Sequence, residues 1–283
     1  MIIYVPSMSR VKRQMSLPQL EDAGVTDKMH CVLVVPEDQS RDYYGVAELY
    51  NCELVHHPVG IGISGAWKWI SEFHAKFHKD DPHFVIVDDD LSFYKRATDD
   101  PEDPALRAVE GTELQEMMDW VSDQLCDGFA HCSIASREQS FQMSAKGSYF
   151  QQSVRPMRFY AYNNETLLEH DVSFSTGVSN DAMCDFHMTL NLLELGYPNI
   201  VSGQYAHNQY GGSNTPGGVS EYRDLEVLRQ SAVALKAAHP NFVRLVEKTT
   251  KTSWGGTADN PVTRTDVVCS WKKSLGSKYN ADS

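Results

Sequence analysis

The sequence predicts an α/β protein built on a Rossmann-like, mostly parallel central sheet flanked by helices. Two observations predict it. Residues 2–5, 32–35, 53–56 and 84–87 are short β-branched or aromatic runs that stop near Pro or Asp, as buried parallel strands do. Between the third and fourth, Ala66, Ile70, Phe73 and Phe77 recur at helical spacing, which makes a βαβ crossover.

Each element follows from its own residues. Gly60, Gly62 and Gly65 turn the chain tightly into the crossover helix. Residues 99–104, Asp-Asp-Pro-Glu-Asp-Pro, read as a loop. Leu114, Met117, Met118, Val121 and Leu125 mark an amphipathic helix with an acidic outer face, and residues 130–135 a further strand. Residues 136–155 are polar and rich in Gln and Ser, an expected irregular excursion, before an aromatic strand at 157–162. In the helix at 185–195, Phe186, Leu190 and Leu193 line one side, Gly196 suits the C′ position and Pro198 prevents continuation. Residues 211–218 are glycine-rich and read as a loop that closes over a ligand. Tyr222, Leu225, Leu228, Ala232 and Leu235 define a last long helix, and neither repeat nor linker divides the chain.

Composition narrows the function classes. The 283 residues carry a formal net charge of −13, with 41% apolar and 22% charged residues, which excludes a disordered chain. Between residues 80 and 127, 15 acids stand against 3 bases, so nearly all the net charge sits in one segment. That acidity argues against tight non-specific DNA binding, yet leaves room for a local basic patch. No apolar run approaches the ~20 residues that span a bilayer, and the first six residues lack the basic start of a secretory signal. The six cysteines include no C-x-x-C pair, which argues against a zinc ribbon or a disulfide framework. A reducing cytoplasm, with no membrane partner, is the expected setting.

The chemistry concentrates in Phe84-Val85-Ile86-Val87-Asp88-Asp89-Asp90. In open α/β sheets ligands bind beyond the carboxyl ends of strands, where these three acids stand. Adjacent acids repel each other and attract a cation. On an extended chain Asp88 and Asp90 point the same way and can share one hard divalent ion, Mg2+ or Mn2+, that keeps positions open for phosphate oxygens. The plain alternative is a solvated strand end. A calcium EF-hand is excluded because Phe93 stands where that loop needs Gly, and a P-loop because G-x-x-x-x-G-K-[ST] is absent. His56 and His57 attract less attention, as do His74 and His78, an i,i+4 pair without the Glu of H-E-x-x-H.

The strand-plus-acids element resembles the DxD motif of GT-A glycosyltransferases, which use nucleotide-sugar donors. Other stretches are similar, in order, to the phage and eukaryotic DNA-base glycosyltransferases associated with TET/JBP-type dioxygenases. They are Tyr4-Val5-Pro6-Ser7-Met8-Ser9-Arg10, Val34-Val35-Pro36-Glu37, Gly60-Ile61-Gly62-Ile63-Ser64-Gly65-Ala66 and Cys184-Asp185-Phe186-His187-Met188-Thr189-Leu190. Gly211-Gly212, His239-Pro240-Asn241-Phe242-Val243 and Arg264-Thr265-Asp266-Val267-Val268 follow. The resemblance implies one GT-A domain over 1–283: a nucleotide-sugar half at 1–95, an acceptor half at 96–220, and a C-terminal helix and tail at 221–283.

It further implies a UDP-sugar or related donor, and duplex DNA with hydroxymethylated pyrimidines as acceptor. Asp88, Asp90 and His207 would hold the divalent metal. Ser7, Arg10, Glu37, Gly62, Ile63 and Ala66 would receive the donor together with Asp88, Asp89 and Asp90. Asp185 would be the catalytic base, with Asp181 as the spare, although an Asp before an apolar run can also simply cap its helix. Cys184 stands where the family has an acid. Arg137, Lys146, Arg155, Arg158, Lys248, Lys251, Lys272 and Lys273 are the cations available to DNA phosphates. Two other readings stay open: the same fold acting on a small molecule, protein or polysaccharide, and a non-catalytic nucleotide- or cation-binding protein.

Overall fold

The computed structural model describes residues 1–209, 217–251 and 256–280. Its strands are β1 (Ile2–Pro6), β2 (Cys31–Pro36), β3 (Glu53–His57), β4 (His83–Val87), β5 (Leu91–Arg96), β6 (Leu106–Ala108), β7 (His131–Ser136), β8 (Phe150–Gln152), β9 (Phe159–Asn163), β10 (Ile200–Gln209), β11 (Val243–Thr250) and β12 (Val262–Cys269). Its helices are α1 (Ser16–Asp22), α2 (Val25–Lys28), α3 (Ser40–Leu49), α4 (Gly62–Phe77), α5 (Glu113–Cys126), α6 (Arg137–Ser144), α7 (Asn164–Glu169), α8 (Cys184–Glu194), α9 (Leu225–Ala238), α10 (Trp271–Ser274) and α11 (Ser277–Asn280).

The four strands expected from the sequence pair in parallel in the order β3-β2-β1-β4. Strand alternation then divides the core. Ile3, Val5, Leu33, Val35, Val85 and Val87 pack on one face against α1, α3 and α5. Ile2, Tyr4, Val32, Val34, Phe84 and Ile86 pack on the other against α4 and α8. The sheet continues β4-β9-β7-β10-β5-β6, with β8 on β10. Only β5, β8 and β9 of its ten strands run against the rest, so it is mostly parallel. A third cluster joins α8 and α9 to the β11–β12 hairpin through Leu190, Leu228, Ala232, Val243 and Val267.

The expected irregular stretch at 136–155 contains α6 and β8. Ser136 and Gln139 form a reciprocal capping box that starts α6. Buried Arg96 then ties the region together. Its guanidinium donates to the carbonyls of Gly203 at 3.0 Å, Asp103 and Ser140. The last long helix begins at Leu225, with Asp224 as its cap. Most of the expected glycine-rich loop, 211–216, lies outside the described residues. All six cysteines are free thiols. Among the described residues no helix is long and apolar enough to cross a membrane.

His131 on β7 is buried and lies flat against the Tyr162 ring, 6.3 Å between centroids. Burial pushes its pKa down to about 3. A base held below its unfolded value supports the fold fully above about pH 6.5, and loses that support as pH falls toward about 3, at up to about 1.4 kcal/mol per pH unit. His131→Phe keeps a ring against Tyr162 with nothing to protonate. Urea unfolding at stepped pH should show a shallower acid-side loss of stability in this variant than in the parent; equal slopes would show that another group drives the acid response.

Candidate active site

Parallel strands that end on one side deliver their following loops to one place. Here those loops surround a cavity of about 720 Å³ beyond the carboxyl ends of β1 to β4. Ser7, Arg10, Gly62, Ile63, Ala66, Asp88 and Asp89 line it, together with Arg155, Arg158, Asp185, Arg223 and Arg264. The cavity thus collects carboxylates from the strand end and guanidiniums from later in the chain.

The chain turns right after Asp88 instead of staying extended, so strand alternation does not carry through the three acids. Asp89 and Asp90 share one partner: Nη1 of Arg10 donates to both, at 2.6 and 2.8 Å. Ser7 donates to Asp89 at 2.5 Å and meets the Tyr43 hydroxyl, which accepts the Arg10 backbone N–H at 2.9 Å. Gln209 donates to Asp90 at 3.0 Å, and Oδ1 of Asp90 is buried without a hydrogen-bond partner among the described residues. Burial lifts Asp89 to about 6, with Arg10 and Ser7 pulling the other way. Nη2 of Arg10 donates to the Gly217 carbonyl at 3.1 Å. Gly217 has a φ of +93°, and a Cβ there would lie 2.5 Å from Arg10 Cγ, so only glycine fits.

Asp88 is half-buried and stands apart from that network. Its N–H donates to the Arg158 carbonyl at 3.0 Å. Burial, then repulsion from Asp90, raises its pKa well above the carboxylate range, while the Arg158 charge opposes the rise. Arg158 has a φ of +61°, a left-handed conformation that is costly for a residue with a Cβ. Arg223 is crowded in turn: burial, then the charges of Arg158 and Arg264, lower its pKa.

Asp185 lies in the first turn of α8, yet it makes no cap hydrogen bond; the N-cap is Met183. Its Oδ2 accepts from Nε and Nη2 of Arg155 at 2.8 and 2.6 Å, and that guanidinium stacks over Phe186 at 3.7 Å. Asp181, by contrast, is fully buried and occupied. It accepts from the backbone and hydroxyl of Thr176 and from the Met183 N–H, which shapes the loop leading into α8.

The remaining expected residues fall as follows. Gly62, with a φ of +64°, abuts Asn180, and the Ile63 N–H donates to the Tyr222 hydroxyl at 3.2 Å. Glu37 is exposed, and its neighbours Asp38 and Gln39 line the cavity in its place. His207 is fully buried on β10 opposite Phe93. Burial and then the Arg158 charge push it down to about 3. Asp88, Asp90 and His207 do not bring three ligand atoms within 4.8 Å of one another. Arg155 and Arg158, expected among the cations for DNA phosphates, line the cavity. Tyr43, Asn180 and Arg223 have no local signature; Tyr222 is expected in the last helix, which starts only at Leu225, and Arg264 in a resembling stretch, neither as a site residue.

The strand ends of this α/β fold therefore open on one cleft lined by carboxylates and guanidiniums. Residues 1–210 match the TET-Associated Glycosyltransferase family. The chain belongs to that family and is a nucleotide-sugar-dependent glycosyltransferase. Among curated proteins none matches. Two solved structures of similar outline are the mannose-1-phosphate geranyltransferase from Thermus thermophilus, at 11% identity over 81% of this chain and 78% of that one with a TM-score of 0.44, and the inositol-1-phosphate CTP transferase from T. maritima, at 12% identity over 83% and 96% with a TM-score of 0.40.

Removing one partner of a buried ion pair costs about 3–5 kcal/mol, because the other charge stays desolvated. Arg10→Ala should therefore lower unfolding free energy by about that amount. A change below about 1 kcal/mol in urea titration would mean that solvent already satisfies Asp89 and Asp90.

Proposed function

We propose that the chain transfers a sugar from a UDP-type nucleotide-sugar donor to the hydroxyl of a 5-hydroxymethylpyrimidine in duplex DNA. One observation carries the donor half of this reading: a single cavity is lined by Asp88 and by the guanidiniums of Arg158, Arg223 and Arg264, the last paired with Asp266. Planar guanidiniums suit the oxygens of a diphosphate and the charge it gains on leaving. The DNA half rests on the sequence resemblance and the family's name.

The acids fit a hard divalent ion in part. Burial and like-charged neighbours leave Asp88 wanting a countercharge, and Oδ1 of Asp90 has no hydrogen-bond partner among the described residues. Asp88 and Asp90 would hold Mg2+ or Mn2+, which when bound neutralises charge on the diphosphate. His207 is left out of that set, being buried beside Arg158. Asp185 is the general base in this reading: it accepts the proton of the acceptor hydroxyl while Arg155 fixes its orientation.

A hydroxymethyl group projects into the major groove, where the enzyme reads it in place or after extruding the base. Of the expected cations Arg137, Lys146, Lys248, Lys251, Lys272 and Lys273 are exposed, Lys248 in an ion pair with Asp266; this reading assigns the phosphates to Lys251, at the end of β11, and to Lys272 and Lys273 on α10. The hairpin also contributes Arg264 and Asp266 to the cavity, and Trp271 of α10 packs on Phe186. Both elements therefore border the site. A second reading, a small-molecule, protein or polysaccharide acceptor, draws support from the inward-facing Arg155 and Arg158 and from the net charge of −13. Mass spectrometry of nucleosides from hydroxymethylated and plain duplexes, each incubated with enzyme and donor, separates the two; no sugar-bearing nucleoside from either duplex rejects the DNA acceptor.

Asp88→Asn should abolish transfer and weaken donor binding in Mn2+, and unchanged turnover would remove Asp88 from the site. Asp185→Asn should slow the chemical step by about 10²-fold or more at unchanged donor affinity. A loss of thermal stability alone would reduce Asp185 to an anchor for Arg155. For the acceptor, each phosphate contact adds ~0.9 to the log–log salt slope of binding. Replacing Lys251, Lys272 and Lys273 by Glu should flatten that slope and raise KM for DNA with donor hydrolysis unchanged; an unaltered slope counts against the hairpin side as the DNA surface.

A further inference from the structure

We infer that His30, Glu53 and His78 form a binding site for one borderline transition-metal ion, represented by Zn2+, at the end of the sheet opposite the cavity. The three residues come from separate places. His30 immediately precedes β2, Glu53 opens β3, and His78 is the C-cap of α4. Parallel pairing sets Val32 beside Glu53, so the amino ends of β2 and β3 lie together, and α4 returns its C-terminus to the same rim. The cavity instead takes Pro36 and His57 from the other ends of those strands.

One ligand atom from each residue lies within 4.8 Å of the others, the one such trio among the described residues. Nε2 of His30 is 2.7 Å from Oε2 of Glu53. The His30 and His78 rings meet edge-on at 5.1 Å instead of stacking. An ordinary surface ion pair accounts for His30 and Glu53 but not for His78, whose Nε2 is buried with no hydrogen-bond partner among the described residues. A metal ion accounts for all three.

The donor set names the metal class. Two imidazoles and a carboxylate suit Zn2+, Co2+ or Ni2+, whereas Mg2+ and Mn2+ prefer oxygen ligands such as those near Asp88. Three protein ligands leave one position for water, and the side chains of His30 and Glu53, 40% and 45% exposed, keep an entry path open. The bound ion would staple α4 to β2 and β3. It lies away from the reacting groups, so its effect is on stability.

Two thiols need a control. Cys31 and Cys52 follow and precede the cluster's residues by one position, with their sulfurs 3.2 Å apart, and soft ligands also take zinc. The full chain, stripped with chelator and kept under a phosphine reductant, is titrated with ZnCl2 by calorimetry and with CoCl2 by visible absorption. An Asp88→Asn background suppresses binding in the cavity. The expected result is one equivalent of Zn2+, weakened at least about tenfold by His30→Ala or Glu53→Gln and retained in Cys52→Ser. Saturating Zn2+ should raise Tm by about 3 °C in the parent and not in His30→Ala, while His30→Ala made with Asp88 intact keeps basal transfer unchanged. Parent-like zinc affinity in both His30→Ala and Glu53→Gln overturns the site, and so does loss of binding in Cys52→Ser.

Discussion

Asp89 and Asp90 are buried at the end of β4, and a buried carboxylate is tolerated only with a countercharge or a proton. Arg10 supplies that charge, and much of the site's shape follows from it. A single Nη1 reaches both carboxylates, while Nη2 holds the Gly217 carbonyl. The loop after β1, the turn between β4 and β5 and the segment at Gly217 are therefore fixed to one another. The backbone extends the same arrangement: the Asp89 carbonyl accepts the N–H groups of Met15 and Ser16, which anchors the start of α1. Ser7 and Tyr43 complete the hydrogen bonds from the β1 and α3 sides. The floor of the cavity is thus a polar network that leaves Oδ1 of Asp90 over among the described residues, the kind of support that holds a binding site rigid.

Above that floor the charges are less settled. Asp88 is pushed toward its protonated form by burial and acidic neighbours, and Arg223 toward its neutral form by burial and two other guanidiniums. Arg264 is partly neutralised by Asp266, 3.1 Å away. A cation near Asp88 and an anion near Arg223 would each relieve one of these groups. Asp185 and Arg155 form a further pair where α8 begins. The family match covers 1–210, while Arg223 and Arg264 lie beyond it.

Not every local signal is carried by apolar periodicity. Ser136 and Gln139 stand three residues apart, the spacing of a capping box, inside a stretch whose polarity suggests irregular structure. A helix of eight residues with few apolar positions leaves little periodicity to detect, so its cap is the better signal. The antiparallel strands β5 and β9 are hidden differently. A strand's own residues report its burial, but its direction depends on where the chain has already been placed.

Local periodicity is enough to specify the four parallel strands, whose alternate residues split cleanly between two cores, the crossover helix α4, and α8 with its Gly196 stop. It also places the acids at a strand's carboxyl end, because an apolar run must end where polar residues begin. Which charges meet is a property of the folded chain alone. Arg10 lies 79 residues from Asp89, Arg158 comes to Asp88 because β9 pairs with β4, and His78 reaches His30 because a helix returns to the rim of the sheet. The difference is one of range. Burial imposes a pattern on neighbours along the chain, whereas an ion pair or ligand set depends on which element ends become adjacent, and no spacing in the sequence records that.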